Sequence, residues 1–258
     1  MADVLIEKTG HTAVMTLCRQ RSLNALCEEF ILSLSQALDR VEEDEDIYVL
    51  IITGSGKAFI SGADISEMCE KDSSSIFSWA ALGSDLNLRI EKFPVPVIAA
   101  INGYAFGGGL ELAMACDIRI ASEKARMGLP ETGLGVICGA GGTQRLPRIV
   151  GKSMASELIF TASSIDAGRA FEIGLVNHVV PEDELMERAL YIAGEIEKKG
   201  QLAVRAAKKA IAASDTLSTE EGCSLERRLF SALFDTEDQK TAMRAFLMHE
   251  KNFTFKNK

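Results

Sequence analysis

Apolar runs of strand length alternate along the chain with longer stretches in which apolar residues recur at helical spacing. Near the amino terminus, Val4–Lys8 and Thr12–Leu17 flank a turn at Thr9-Gly10, which predicts a β-hairpin. A long amphipathic helix is predicted to open at Leu23–Leu26, because the apolar residues after it recur every three or four positions. Further strands are predicted at the apolar runs Tyr48–Ile52, Val95–Ile101, Ile118–Ala121 and Leu175–Val180.

This alternation of strands and helices is typical of an α/β fold with parallel strand pairing. From Glu182 onward the pattern is helical almost to the last residue, with a polar break near Ser214–Thr219. A helical final third suits an appendage to the α/β core or an element that joins subunits. We therefore predict an α/β core followed by a helical region.

The charge balance and the cysteine spacing narrow the classes of partner. The chain has 258 residues and a formal net charge of −9, which argues against binding to nucleic acid or to an anionic membrane. Its six cysteines are scattered and its three histidines lie far apart, so we expect no metal site. The amino terminus does not resemble a signal peptide and no apolar run has membrane-spanning length, so we expect a cytoplasmic protein.

A run of three glycines, Gly107–Gly109, separates a predicted buried strand from a predicted helix that carries Glu111. Glycines at such a junction let the backbone turn sharply and let a ligand approach it closely. The first N–H groups of a helix have no partner inside it, and they favour negative charge. Pro130-Glu131 supplies a second carboxylate, and Gly139–Gly142 forms a second glycine-rich loop.

Two glycine-bearing turns, Gly62-Ala63 and Gly107-Gly108, are each predicted to follow a strand and precede a helix. Two backbone N–H donors directed at one oxygen form an oxyanion hole. With two carboxylates nearby to transfer protons, such a site suits reactions that pass through an enolate. The alternatives are simpler: the glycines allow tight packing, and Glu111 is a favourable charge at a helix start.

Motifs over essentially the whole chain resemble those of the crotonase (enoyl-CoA hydratase/isomerase) superfamily, in particular its bacterial short-chain hydratases. Each motif is weak alone, but their common order is specific. The matching segments are Arg21–Leu26, Ser61–Ile65, Asn102–Glu111, Pro130–Leu146, Thr236–Lys240 and Phe255–Lys258.

The resemblance implies a crotonase-like spiral of ββα units over residues 1–195 and a C-terminal helical trimerisation region over residues 196–258. It implies a homo-oligomer, either a trimer or a dimer of trimers. The implied substrate is an acyl-CoA thioester, in which coenzyme A is part of the substrate, so no separate cofactor is expected.

The resemblance also implies a catalytic role for particular residues. The N–H groups of Ala63 and Gly108 would hold the thioester oxygen of a 2-enoyl-CoA. Glu111 would deprotonate the water that attacks C3, and Glu131 would hold the same water and deliver a proton to C2. Gly139 would donate a backbone hydrogen bond to that water. The retention of both glutamates favours a hydratase over an isomerase, which typically keeps only the second.

A further set of residues is implied in binding coenzyme A. Segment Ala63–Ser66 would contact its adenine and pantetheine parts, and Arg21 would lie near its phosphates. The substrate-binding set implied by the resemblance is therefore Arg21, Ala25, Ala63, Asp64, Ile65, Ser66, Gly108 and Gly139.

Several positions depart from the family pattern, namely Gln20, Leu129, Cys138 and Met248-His249-Glu250. Leu129 and Cys138 flank or support the expected pocket, so the acyl preference stays open. His249 replaces a lysine that often reaches coenzyme A, and a mostly neutral histidine would weaken that contact. The open alternatives are a hydratase for a branched, cyclic or dienoyl-CoA, a Δ3-Δ2 isomerase, and an RNA-binding member. The acidic helix Glu28–Asp46 argues against the last.

Overall fold

The computed structural model describes residues 3–250 and 253–258, in which strands and helices alternate. The strands are β1 (Val4–Thr9), β2 (Thr12–Leu17), β3 (Val49–Gly54), β4 (Ala58–Ile60), β5 (Val97–Ile101), β6 (Tyr104–Phe106), β7 (Ile118–Ser122), β8 (Arg126–Gly128), β9 (Ser164–Asp166) and β10 (His178–Val180). The helices are α1 (Glu28–Glu42), α2 (Ile65–Met68), α3 (Ser73–Glu91), α4 (Gly108–Ala115), α5 (Gly142–Val150), α6 (Lys152–Phe160), α7 (Ala167–Glu172), α8 (Leu185–Glu197), α9 (Gln201–Ala213), α10 (Thr219–Leu233) and α11 (Glu237–Leu247).

From β3 to β8, successive strands alternate between two sheets. The larger sheet has the order β1-β2-β3-β5-β7-β10, and the smaller has the order β4-β6-β8-β9. The chain therefore places β3, β5 and β7 in the larger sheet and follows each with a strand of the smaller one. Pairing is parallel except at the hairpin β1–β2 and at β8–β9. The predicted α/β spiral with parallel pairing is confirmed.

Both faces of the larger sheet are covered, as parallel sheets require. Alternate residues of β5 separate by face: Val97, Ala99 and Ile101 pack into the main core, whereas Ile98 and Ala100 pack against α8. Because every residue of this strand is buried, its sequence is continuously apolar rather than alternating. Strand β5 begins at Val97, two residues later than the predicted Val95.

The sequence-based prediction was wrong at the start of the first long helix. Leu23 and Asn24 have positive φ angles of 53° and 57°, and α1 begins only at Glu28. Asn24 is fully buried, and its amide donates to the carbonyl oxygens of Ala58 and Phe59. Tertiary hydrogen bonds thus hold residues 23–26 as a loop against β4.

Polar contacts anchor the segments that follow α8. An ion pair joins the buried Lys208 of α9 to Asp117, with 2.7 Å between Nζ and Oδ2. Lys256 and Asn257 donate their backbone N–H groups to buried Asp238. None of the helices described is long and apolar enough to cross a bilayer. The boundary between residues 195 and 196 stays a prediction.

Candidate active site

Three neighbouring strands of the smaller sheet end at the same edge. Strands β4, β6 and β8 pair in parallel, with Ile60 opposite Ala105 and Phe106 opposite Gly128. Because adjacent parallel strands end on the same side of a sheet, the segments that follow them lie side by side. Those segments carry Ala63, Gly108 and Glu131.

A cavity of about 650 Å³ lies at this edge and contains both predicted glutamates. Glu111 and Glu131 are the acidic side chains that the described residues place in its wall. Most of the remaining wall is apolar, with α3 contributing Trp79 among others. This composition suits a ligand with an apolar chain and a polar reacting group. Further lining residues are Leu26, Ile31, Met68, Ile76, Phe106, Leu134, Val136 and Ile137.

Glu111 lies in the first turn of α4 and is only 2% exposed. Its Oε1 atom accepts hydrogen bonds from the N–H of Ala140 at 2.9 Å and from the N–H of Gly142 at 2.7 Å. Burial raises the pKa of Glu111 to about 7, and the two N–H donors oppose that rise. A carboxyl group with a pKa near neutrality is suited to both accepting and releasing a proton.

The start of α4 lies against the backbone of β4. A Cβ atom at Gly109 would collide with the carbonyl oxygen of Ile60, so this position needs glycine. Gly108, the first residue of this helix, lies in the cavity wall together with Ala63. Neither Gly108 nor Ala63 donates its N–H to another group among the described residues. Two unpaired donors therefore border one cavity.

Glu131 lies at the start of a 3₁₀ helix, Glu131–Leu134, that follows β8. Its Oε2 atom is buried without a hydrogen-bond partner within residues 3–250 and 253–258. Burial raises the pKa of this carboxyl group, and the nearby Cys138 thiol acts in the opposite direction. A buried carboxylate oxygen without a partner is costly, and a ligand or water in the cavity would relieve that cost.

A family model described as enoyl-CoA hydratase/isomerase matches residues 7–258. The chain belongs to the enoyl-CoA hydratase/isomerase family. It is 45% identical over 257 residues to the short-chain-enoyl-CoA hydratase of Clostridium acetobutylicum, covering 99% of this chain and 98% of that protein. It is 45% identical over 256 residues to the crotonyl-CoA hydratase of Syntrophomonas wolfei, covering 98% of each.

Solved structures of the family share the whole architecture. A crystal structure of an enoyl-CoA hydratase from Bacillus anthracis matches with a TM-score of 0.95 and 38% identity, covering 99% of this chain and 100% of that one. The crotonase-like fold expected from the family resemblance is therefore confirmed.

The predicted family residues divide into two groups by location. The cavity wall includes Ala63, Ile65, Gly108, Glu111, Glu131 and Gly139. Ile65 is also 50% exposed, so this part of the wall opens to the surface. Four predicted coenzyme A-binding residues lie outside the cavity wall that the described residues form: Arg21, Ala25, Asp64 and Ser66.

Asp64 and Ser66 are committed to each other rather than free. The Asp64 carboxylate accepts a hydrogen bond from the backbone N–H of Ser66 at 3.0 Å, which caps α2. The Ser66 hydroxyl donates to the same oxygen, and this bond lowers the pKa of Asp64. Arg21 lies in the short 3₁₀ helix Gln20–Ser22, and His249 lies just beyond α11. The contact of Arg21 with coenzyme A stays a prediction, and for His249 a place on the surface without such a contact stays the alternative.

Sequence reasoning missed the groups that hold Glu111. It assigned Gly139 as a donor to water, and left Ala140 and Gly142 without a role. In the structure these two residues supply the hydrogen bonds to Glu111. The glycine-rich loop was a sufficient signal that backbone groups are presented here, but sequence spacing does not identify their acceptor.

Two of the departures from the family pattern lie beneath this loop. A Cβ atom at Gly142 would lie 3.0 Å from Cys138 Sγ and 3.0 Å from Leu129 Cδ1. Cys138 and Leu129 are 7% and 1% exposed, respectively. These side chains therefore support the loop that binds Glu111, as well as lying near Glu131.

Proposed function

We propose that this chain catalyses the reversible addition of water to the double bond of a trans-2-enoyl-CoA, which gives a 3-hydroxyacyl-CoA. The observation that carries the proposal is the meeting of one buried carboxyl group, one partly buried carboxyl group and two unpaired backbone N–H donors at one largely apolar cavity. Full-length similarity to proteins named as short-chain-enoyl-CoA and crotonyl-CoA hydratases supports it.

In this proposal, Ala63 and Gly108 form the oxyanion hole. Their N–H groups bind the thioester oxygen, which becomes negatively charged as the enolate forms. Donors fixed by the backbone need no rearrangement when this charge develops, so they stabilise the transition state strongly. The narrow junction between β4 and α4 fixes the donor at Gly108.

Glu111 is proposed as the base for the attacking water. Because Ala140 and Gly142 bind Oε1, the second carboxylate oxygen is left to accept the proton of water. Glu131 is proposed as the group that holds the same water and protonates C2, and Gly139 as a further donor to that water. The raised pKa values of both carboxyl groups suit proton transfer near neutral pH.

Ile65 and the backbone of Ala63 are proposed to contact coenzyme A at the open side of the cavity. Arg21, Ala25, Asp64 and Ser66 are proposed to extend that contact outside it. Coenzyme A enters as part of the substrate, so the proposal needs no resident cofactor.

The proposal is tested by the specific activity of the purified protein across acyl chain lengths. Loss of the enoyl-thioester absorbance on hydration of crotonyl-CoA and longer straight-chain enoyl-CoAs measures turnover directly. We expect turnover of at least one of these substrates. Negligible turnover of all of them would contradict the proposal, and activity on a 3-enoyl-CoA or on a branched enoyl-CoA instead would identify the alternative.

We also propose that the C-terminal helical region assembles the chain into trimers or hexamers in the cytoplasm. Support comes from apolar side chains of this region that are strongly exposed in a single chain, such as Phe230 at 60%, Phe246 at 80% and Leu247 at 76%. Light scattering of the purified protein should give three or six times the chain mass. A monomer would contradict the assembly without affecting the proposed chemistry.

A further inference from the structure

We propose that Asn87 and Arg145 are positioning residues that hold the loop 139–142 in the orientation in which its N–H groups bind Glu111. They do so by binding the carbonyl oxygen of Ala140 from two sides. The inference rests on the proposed function, in which Glu111 is the base. Neither side chain lines the cavity wall that the described residues form, so both act through the loop.

The contact with Ala140 uses the full acceptor capacity of one carbonyl group. Asn87 Nδ2 donates to the Ala140 oxygen at 3.0 Å, and Arg145 Nη1 donates to the same oxygen at 3.0 Å. A carbonyl oxygen has two lone pairs, so the two donors satisfy it completely. Asn87 is only 2% exposed, and burial of an amide is favourable only when it is hydrogen-bonded.

Helix α3 anchors both donors. Asn87 belongs to α3, and so does Glu91, one helical turn further on. Glu91 Oε2 accepts a hydrogen bond from Arg145 Nη2 at 2.6 Å. Helix α3 therefore holds both side chains that bind Ala140, Asn87 directly and Arg145 through Glu91.

The loop is shaped to fit the arginine. Gly141 has a φ angle of 104°, which side-chain-bearing residues rarely adopt. A Cβ atom there would also collide with Arg145 Nη1. The guanidinium group thus occupies the space that a side chain at position 141 would need, and it fixes the backbone between the two donors to Glu111.

The orientation of the loop sets the charge state of Glu111. Burial favours the protonated carboxyl group, and the nearby Glu131 acts in the same direction. The N–H groups of Gly142 and Ala140 favour the carboxylate, as does the positive charge of Arg145. The Cys138 thiol, which also faces this carboxyl group, is neutral because burial raises its pKa. Loss of the loop orientation would therefore raise the pKa of Glu111 further and reduce the fraction of active base.

The test compares Asn87→Ala, Asn87→Leu, Arg145→Met and Arg145→Lys in the full-length protein. We expect kcat for crotonyl-CoA to fall about 10- to 100-fold in Asn87→Ala and Arg145→Met, because small displacements of a catalytic group are costly. KM should change little, and the acid limb of the pH–rate profile should move to higher pH. Arg145→Lys, which keeps a positive donor, should recover part of the loss. If Asn87→Ala does not fold, Asn87→Leu replaces it in the test, because leucine fills the buried volume without a hydrogen-bond donor.

Leu86→Ala is the matched control. Leu86 is the neighbouring buried residue of α3, 5% exposed, and carries no hydrogen-bonding side chain. This change should lower the thermal midpoint of unfolding and leave the pH–rate profile unchanged. A shift of the profile in Leu86→Ala equal to that in Asn87→Ala would overturn the inference, because the effect would then follow from loss of packing alone.

A second readout separates this inference from the proposed function. Carbon-13 NMR of glutamate carboxyl groups, with Glu111→Gln for assignment, follows the titration of Glu111 without any substrate. We expect a higher titration midpoint in Asn87→Leu and Arg145→Met than in the unmodified protein. Absence of hydratase activity would end the proposed function and leave this titration informative. Folded variants with the unmodified midpoint would end the inference.

Discussion

Glu111 lies in the first turn of the buried helix α4 and is hydrogen-bonded to the loop 139–142. Glu131 lies in the short 3₁₀ helix Glu131–Leu134. Glu111 has one oxygen held by two backbone donors. Glu131 has one buried oxygen with no hydrogen-bond partner among the residues described. Burial raises the pKa of both, but Glu111 is held by two N–H groups from a loop distant in sequence.

The difference in hydrogen bonding explains why we propose different roles for the two glutamates. A carboxylate with one oxygen fixed by the backbone presents its other oxygen in a defined direction, which suits a base for a single water molecule. A carboxyl group with an unpaired oxygen binds whatever polar group the substrate complex provides. The orientation of the Glu131 carboxyl group should therefore depend more strongly on bound water and substrate than that of Glu111 does.

Activity should fall most when Glu131 loses its ability to donate a proton. Glu131→Gln should bind a saturated acyl-CoA normally and lower kcat for crotonyl-CoA by about 10³-fold or more, because the proposed proton donor to C2 is lost. Glu111→Ala should behave similarly, since both groups are proposed to hold one water. Calorimetry with butyryl-CoA and a hydration assay measure the two quantities. Near-normal turnover in Glu131→Gln would overturn the assigned roles.

The pH dependence of the reaction sharpens the contrast between the two groups. With a pKa of about 7, Glu111 is protonated in acid and can no longer accept a proton from water. We expect kcat/KM to fall about tenfold for each pH unit below about 7. The pH–rate profile for crotonyl-CoA measures this limb. A profile that stays flat down to about pH 5 would show that Glu111 is not the base.

The free energy of unfolding should depend on pH through the buried carboxyl group of Glu111. The pKa of Glu111 is raised in the folded state from 4.5 to about 7, so the folded state binds more protons than the unfolded state in this range. Stability should then fall as pH rises through this window. Glu111→Gln removes this cost and should be more stable by about 2 kcal/mol at about pH 8. Urea unfolding of both proteins at about pH 8 and pH 4.5 checks the sign; an equal difference at the two values would contradict it.

The smallest expected effect is that of Cys138, which lies beside Glu131. Removing its thiol should raise the pKa of Glu131, because the thiol opposes the effect of burial. The loss of one weak polar interaction costs about 0.5–1 kcal/mol, so Cys138→Ala should change kcat about two- to fivefold. Cys116→Ala, which removes another buried thiol at the end of α4, serves as the control. Identical pH–rate profiles for the two variants would show that Cys138 does not act on Glu131.

The sequence predicted the strands and the two catalytic candidates because both leave local signals. The apolar run Val95–Ile101 marks a buried strand, and the glycine run Gly107–Gly109 after it marks a tight turn, whatever lies around them. Glu111 follows the glycine run, Glu131 follows Pro130, and the structure brings both to one cavity. Their proposed roles rest on the family and on this geometry.

Local signals failed where tertiary contacts decide the backbone. Residues 23–26 contain good helix formers, yet hydrogen bonds from Asn24 to β4 and between Leu26 and Gly62 hold them as an irregular loop beside Ala63. Likewise, nothing in the spacing of Asn87, Ala140 and Arg145 shows that they meet. Such partners are far apart in sequence, and only the fold brings them together.

The sequence contains a single tryptophan, and Trp79 lies in the wall of the cavity. Tryptophan fluorescence of the whole chain therefore arises from one place, close to where an acyl chain is proposed to bind. Entry of a ligand should displace water from the indole ring and shift its emission. Acyl-CoA binding can thus be followed in real time without a label, including in variants that no longer turn over.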